Sequence, residues 1–141
     1  MKKLILVDSC IHIEAAKTGP ELLEVIFSLH PDYEFATCGM VELEVMRGIR
    51  SPGALAYARE QFNILRYLPT TRATWILARE ITQALDRKGL PINTQDTVIA
   101  ACAREANAAV FTYDRRFREI VGMEVLDHLA ERSPKWRDPC R

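Results

Sequence analysis

Four acids, Asp8, Glu44, Asp96 and Asp114, are spread over most of the chain, each where a strand or turn should hand over to a helix. Carboxylates gathered from distant segments are a donor set for Mg²⁺ or Mn²⁺, whereas zinc prefers His and Cys. Brought close together they repel, and at least one pKa should rise unless a cation is present. Such a metal acidifies a bound water and neutralises charge on a phosphate, and a pair of them ~4 Å apart clamps both attacking and leaving oxygens. The implied chemistry is phosphodiester hydrolysis without a side-chain nucleophile.

Each acid also has a local explanation. Asp8 and Asp114 are placed to cap helices, and Asp96 could complement a helix dipole. Asn93 or Thr94 is an equally good cap beside Asp96. Glu42 shares a helix with Glu44, and two residues are about 200° around a helix, so both cannot face one site. Periodicity leaves the choice open, because both have apolar neighbours one turn away.

The elements that must position these acids follow from the apolar pattern. Leu4–Val7 is a short continuous apolar run and reads as a buried strand. A short helix follows Asp8, Gly19-Pro20 breaks it, and Glu21–Leu29 is a second amphipathic helix. Tyr33–Thr37 reads as a strand and Gly39–Arg50 as a helix that Ser51-Pro52-Gly53 ends. Ala54–Leu65 is helical, Arg66–Leu68 a short strand, and Arg72–Lys88 a long helix closed by Lys88-Gly89. Gln95–Asn107 is the next helix, Ala109–Thr112 a strand, Asp114–Ile120 a short helix and Met123–Leu126 a last strand. Alternating strands and helices imply parallel strands joined by crossovers, a three-layer α/β/α domain with a central, mainly parallel sheet. Ligands of such sheets bind beyond the carboxyl ends of the strands. Asp8 and Asp114 should therefore emerge on one edge, with Asp96 at a helix start facing it.

A length of 141 residues suits one domain, read as residues 1–132 with a polar tail over 133–141. Basic and acidic residues balance at 19 each, so only local charge can attract a partner. No apolar run approaches the roughly 20 residues of a membrane helix, and the run after Met1-Lys2-Lys3 stops at Asp8, too soon for a signal peptide. These features predict a cytoplasmic protein with no membrane partner. The four cysteines form no Cys-x-x-Cys pair, which excludes the usual zinc spacing. Cys10, Cys38 and Cys102 read as reduced core residues. His12, His30 and His128 lack ligand spacing and read as structural or solvated. Tyr113 or Trp75 could stack on a base, but core packing is the expected role of both.

In four segments the chain resembles the PIN-domain family, and within it the VapC-type toxins of toxin–antitoxin pairs. Leu6-Val7-Asp8-Ser9 is similar to the family's opening strand and first acid. Glu44-Val45-Met46-Arg47-Gly48 resembles its Glu-x-x-x-Gly segment, which favours Glu44 over Glu42. Asp96-Thr97-Val98-Ile99-Ala100-Ala101 resembles the third acid and its helix. Phe111-Thr112-Tyr113-Asp114-Arg115-Arg116-Phe117 resembles the closing Thr-x-Asp-x-Asp-Phe segment. The likeness spans residues 4 to about 126.

The resemblance implies an Mg²⁺- or Mn²⁺-dependent endoribonuclease with Asp8, Glu44, Asp96 and Asp114 as catalytic acids and Asp8, Asp96 and Asp114 as metal ligands. It also implies a cognate VapB-type antitoxin whose tail blocks the site, and toxin homodimers. Two departures stand out. Arg116 occupies the place of a second acid, leaving Asp114 alone there, and Cys10 stands where a small polar residue is frequent. The hydroxyls of Ser9 and Thr112 could support Asp8 and Asp114, or simply bond to local backbone. RNA phosphates need cations at the rim of an acidic site. Arg47, Arg115 and Arg116 are the candidates, with Arg50 and Arg118 nearby; an Arg beside the acids could instead pair with one of them. A PIN-like RNA- or protein-binding module with weak or lost catalysis is the alternative. A phosphatase of the haloacid dehalogenase type would want a second Asp where Cys10 stands.

Overall fold

The computed structural model describes residues 2–19, 21–28 and 30–127. The expected domain limit at 132, the 133–141 tail, His128 and Cys140 lie outside them. Five strands form one sheet: β1 (Lys3–Val7), β2 (Tyr33–Cys38), β3 (Arg66–Leu68), β4 (Ala109–Phe111) and β5 (Val125–Leu126). Their order is β3-β2-β1-β4-β5, and every pairing is parallel. Helices α1 (Ser9–Thr18), α2 (Glu21–Ser28), α3 (Gly39–Arg47), α4 (Pro52–Asn63), α5 (Arg72–Arg87) and α6 (Thr94–Glu105) complete the three-layer α/β/α domain that the alternation of elements predicts.

Burial explains the sheet. Ile5, Leu6 and Val7 are fully buried at its centre, as an unbroken apolar run flanked by helical layers requires. The chain runs outward from β1 to β2 and β3, then returns to place β4 on the other side of β1. The β1/β4 seam is thus the topological switch point, where a crevice opens beyond the strand ends.

Helix α6 is buried on all sides from Thr97 to Ala103, so it serves as a central pillar rather than a surface helix. Its alanines at 100, 101 and 103 leave room for α5, which turns Thr74, Ala78, Ile81 and Leu85 inward. Helix α5 ends as Lys88-Gly89 predicts. Gly89 takes φ 69°, and the Leu90 amide reaches back to the Leu85 carbonyl at 3.0 Å.

Several boundaries differ from expectation. Ser51-Pro52-Gly53 starts a helix rather than merely ending one: Ser51 Oγ accepts from the Ala54 amide at 3.4 Å, and Pro52 sits in the first turn, where its missing N–H costs nothing. Helix α3 stops at Arg47, with Gly48 as its cap. The segment after Asp114 is a 3-10 helix, Arg115–Glu119, pinned by the fully buried Phe117. Trp75 lies 53% exposed on α5, so it is not the core side chain expected.

Candidate metal centre

The seam between β1 and β4 fixes the first acid. The Asp8 amide donates to the Phe111 carbonyl at 2.9 Å, which sets Asp8 at the strand end. Its side chain is buried and almost fully engaged. Oδ1 accepts from the Ser9 amide at 2.8 Å, and Oδ2 accepts from Thr112 Oγ1 at 2.7 Å. The Ser9 hydroxyl lies 3.5 Å from Oδ1 and donates to Glu44 Oε2 at 3.3 Å. Ser9 therefore links the first acid to the second.

Glu44 of α3, and not Glu42, makes that link. The other carboxylate oxygen of Glu44, Oε1, is buried without a hydrogen-bond partner. Burial, and then the charge of Asp8, raises the Glu44 pKa, with Ser9 opposing.

The local explanations of the acids divide. Asn93 is the cap of α6, its Oδ1 accepting from the Asp96 amide at 2.9 Å. Asp96 is thereby released from capping, and its buried carboxyl points to the other acids. Burial, followed by the charges of Asp8, Asp114 and Glu44, pushes it up from 3.8 to about 7, with Arg116 pulling the other way. Asp8 and Asp114 are caps as well as members of the cluster.

The Asp114 corner differs from the rest. The Asp114 amide donates to Thr112 Oγ1 at 3.0 Å, so Thr112 serves the side chain of Asp8 and only the backbone of Asp114. Arg116 wraps the Asp114 carboxylate: its amide and Nε reach Oδ1, each at 3.0 Å, and Nε and Nη2 reach Oδ2 at 3.1 and 2.7 Å. The same Nη2 stands 3.6 Å from Asp96 Oδ2. Burial alone would raise the Asp114 pKa, but the hydrogen bonds and charge of Arg116 outweigh it and hold this carboxyl below its usual range.

Cys10 is a free, partly buried thiol packed against the core, as expected, and it also borders this site. Its Sγ lies 3.4 Å from Asp8 Oδ2 and 3.5 Å from Thr112 Oγ1. Burial and the Asp8 charge push the thiol up to about 12, so it stays protonated and acts as a weak donor to Asp8. Its position two residues after a strand-end acid was the only sequence signal for this. Cys38 and Cys102 are buried free thiols, as expected. Arg47 and Arg115 are exposed, while Arg118 pairs with Asp127 at 3.1 Å.

The four acids offer a set of donors to a divalent ion. The donors are all hard oxygens, burial and the neighbouring carboxylates raise the Asp96 pKa, and Glu44 Oε1 is buried and unpaired. Those features fit Mg²⁺ or Mn²⁺. Convergence is incomplete, since among the described residues no three His, Cys, Asp or Glu side chains are grouped tightly enough to hold an ion.

Comparison with known proteins places this geometry in context. The family model of the PIN domain matches residues 5–123. The structure of DNA-bound VapBC from Salmonella typhimurium is 26% identical, with a TM-score of 0.76, covering 89% of this chain and 98% of that one. VapBC2 from Rickettsia felis, bound to a DNA fragment from its promoter, is 19% identical with a TM-score of 0.76, covering 87% and 97%. A toxin–antitoxin complex from Klebsiella pneumoniae is 17% identical with a TM-score of 0.68, covering 86% and 95%. No curated protein matches the sequence.

Proposed function

The chain belongs to the PIN-domain family, and on that premise we propose that it is a VapC-like toxin: a divalent-metal-dependent endoribonuclease held in check by a VapB-type antitoxin. The observation that carries the proposal is Asp96. Its carboxyl is pushed to about 7 because burial and three acids from separate segments surround it. An acidic cluster of that kind at a sheet switch point is useful for binding a cation and, through it, a phosphate. The likeness to DNA-bound VapBC from Salmonella typhimurium supports a VapC-like role with a VapB-type partner.

The residues divide the work as follows. Asp8, Asp96 and Asp114 would hold Mg²⁺ or Mn²⁺. The chemistry such an ion supplies is charge neutralisation at the phosphate and easier deprotonation of water. The Thr112 hydroxyl and the Ser9 backbone amide fix the orientation of the Asp8 carboxylate. Glu44 Oε1, buried and unpaired, is the acceptor for the proton of the attacking water. Arg47 and Arg115 hold RNA phosphates at the rim, where solvent-exposed cations meet the polyanion.

Cleavage of a single-stranded RNA in Mn²⁺ tests the proposal. Asp96→Asn should abolish cleavage while circular dichroism shows the fold retained. Full activity of that variant, at equal folded concentration, would overturn the assignment. The alternative of a binding module without catalysis draws on the Asp114 carboxylate being held by Arg116. It predicts no Mn²⁺ binding that depends on Asp8 in a calorimetric titration.

A further inference from the structure

Three N–H groups of Arg116 engage the Asp114 carboxylate. Its backbone amide donates to Oδ1, Nη2 donates to Oδ2, and the single Nε hydrogen is shared between the two oxygens, which leaves about one of the four lone-pair sites open. Among the described residues, Arg116 is the only cation that pairs with two of the four acids, since Nη2 lies 2.7 Å from Asp114 and 3.6 Å from Asp96.

The arrangement is built into the backbone. Arg116 stands two residues after Asp114 in the 3-10 turn, and buried Phe117 locks that turn in place. The guanidinium fork matches a carboxylate in a way that a lysine ammonium does not. Its side chain is nevertheless 53% solvent-exposed, so it can swing away without disturbing the core.

We propose that Arg116 is a displaceable counter-cation that competes with divalent metal for Asp114 and Asp96 and thereby sets the metal affinity of the site. This inference rests on the metal-dependent reading above. Two point charges of the same sign cannot share one carboxylate pair at full strength, so an ion entering this corner must break the Asp114 fork and lose the Arg116–Asp96 contact.

Calorimetric titration with MnCl₂, with free Mn²⁺ followed in parallel by electron paramagnetic resonance, tests the competition. The full chain would be compared with Arg116→Gln, Arg116→Lys, Asp8→Asn and the double variant Asp8→Asn/Arg116→Gln. Arg116→Gln should bind Mn²⁺ roughly tenfold more tightly than the parent, the order expected for loss of one competing charge-assisted pair. Arg116→Lys, which keeps the charge but loses the fork, should fall between them. Undetectable binding by the parent with Asp8-dependent binding by Arg116→Gln would support the same proposal in its strongest form. Equal or weaker binding by Arg116→Gln would overturn it, and the metal site itself would stand if Asp8→Asn still lost binding. Absence of binding in every variant would remove the metal-dependent reading and this inference together.

Discussion

Thr112 Oγ1 donates to Asp8 Oδ2 at 2.7 Å across the β1/β4 seam and accepts from the Asp114 amide at 3.0 Å. One buried hydroxyl thus orients the first acid through its side chain and the last acid through its backbone. The two strand ends are registered to each other by it, beyond the ladder bonds of the sheet.

Replacing Thr112 by Val keeps the shape and removes the hydroxyl. Asp8 then loses a donor in a buried setting, and the Asp114 amide loses its acceptor. A cost of about 1–3 kcal/mol is expected for buried polar groups left unpaired. Urea denaturation should show that loss, and RNA cleavage should fall at least tenfold as Asp8 loses its fixed orientation. Thr112→Ser should recover both. Unchanged cleavage in Thr112→Val would mean that Asp8 is held well enough by the Ser9 amide alone.

Glu42 and Glu44 provide an internal control on one helix. Glu44 bonds to Ser9 and adds charge to Asp96, whereas for Glu42 the pKa rise comes from burial alone. Glu44→Gln should abolish cleavage and Glu42→Gln should leave most of it. A reversed order would show that the helix presents its other face to substrate.

The apolar runs before Asp8 and Asp114 made both strand ends visible in the sequence, and with them the shared sheet edge. Local chemistry was ambiguous at Asp96, because Asn93, Thr94 and Asp96 are all competent cap residues and only the fold shows that Asn93 takes the part. Periodicity could not separate Glu42 from Glu44, since the side of α3 that faces Ser9 depends on tertiary packing. Ser51-Pro52-Gly53 carries the same signals for stopping one helix and starting the next, and here it starts α4. Arg116 was legible as a cation near the acids. Its grip on Asp114 and reach to Asp96 depend on the 3-10 turn, which no propensity specified.

His12 makes stability depend on pH. Its ring is buried against Phe62, with centroids 5.0 Å apart, and burial lowers its pKa from 6.5 to about 4. Above pH 6.5 neither the folded nor the unfolded chain protonates it, and its full contribution to stability is present. As pH falls from 6.5 toward 4, the unfolded chain takes up a proton that the folded one refuses, so stability is lost. Asp96 acts in the opposite sense over a similar range, because its folded pKa is raised. The clean observable is therefore the difference between the parent and His12→Leu. That difference should move against the parent by on the order of 3 kcal/mol between pH 7 and pH 4 in urea denaturation. A constant difference across the range would show that the His12 ring is protonated in the folded chain.

Asp96 also predicts that metal binding expels protons. Its carboxyl titrates near 7 in the metal-free protein and must be ionised to ligate a cation, while Asp114 is already held ionised by Arg116. Mn²⁺ binding should therefore release roughly one proton per ion near pH 6 and close to none near pH 8, as expected for a group half-titrated at about 7. Affinity should rise with pH over that interval by up to tenfold for each pH unit below 7 and level off above it. Calorimetry in two buffers of different ionisation enthalpy reads the proton count directly. Asp96→Ala, in whatever binding remains, should lose most of the release. If the release persisted in that variant, the proton would come from another group, and Glu44, the other acid of the cluster whose pKa is raised, would be the one to replace next.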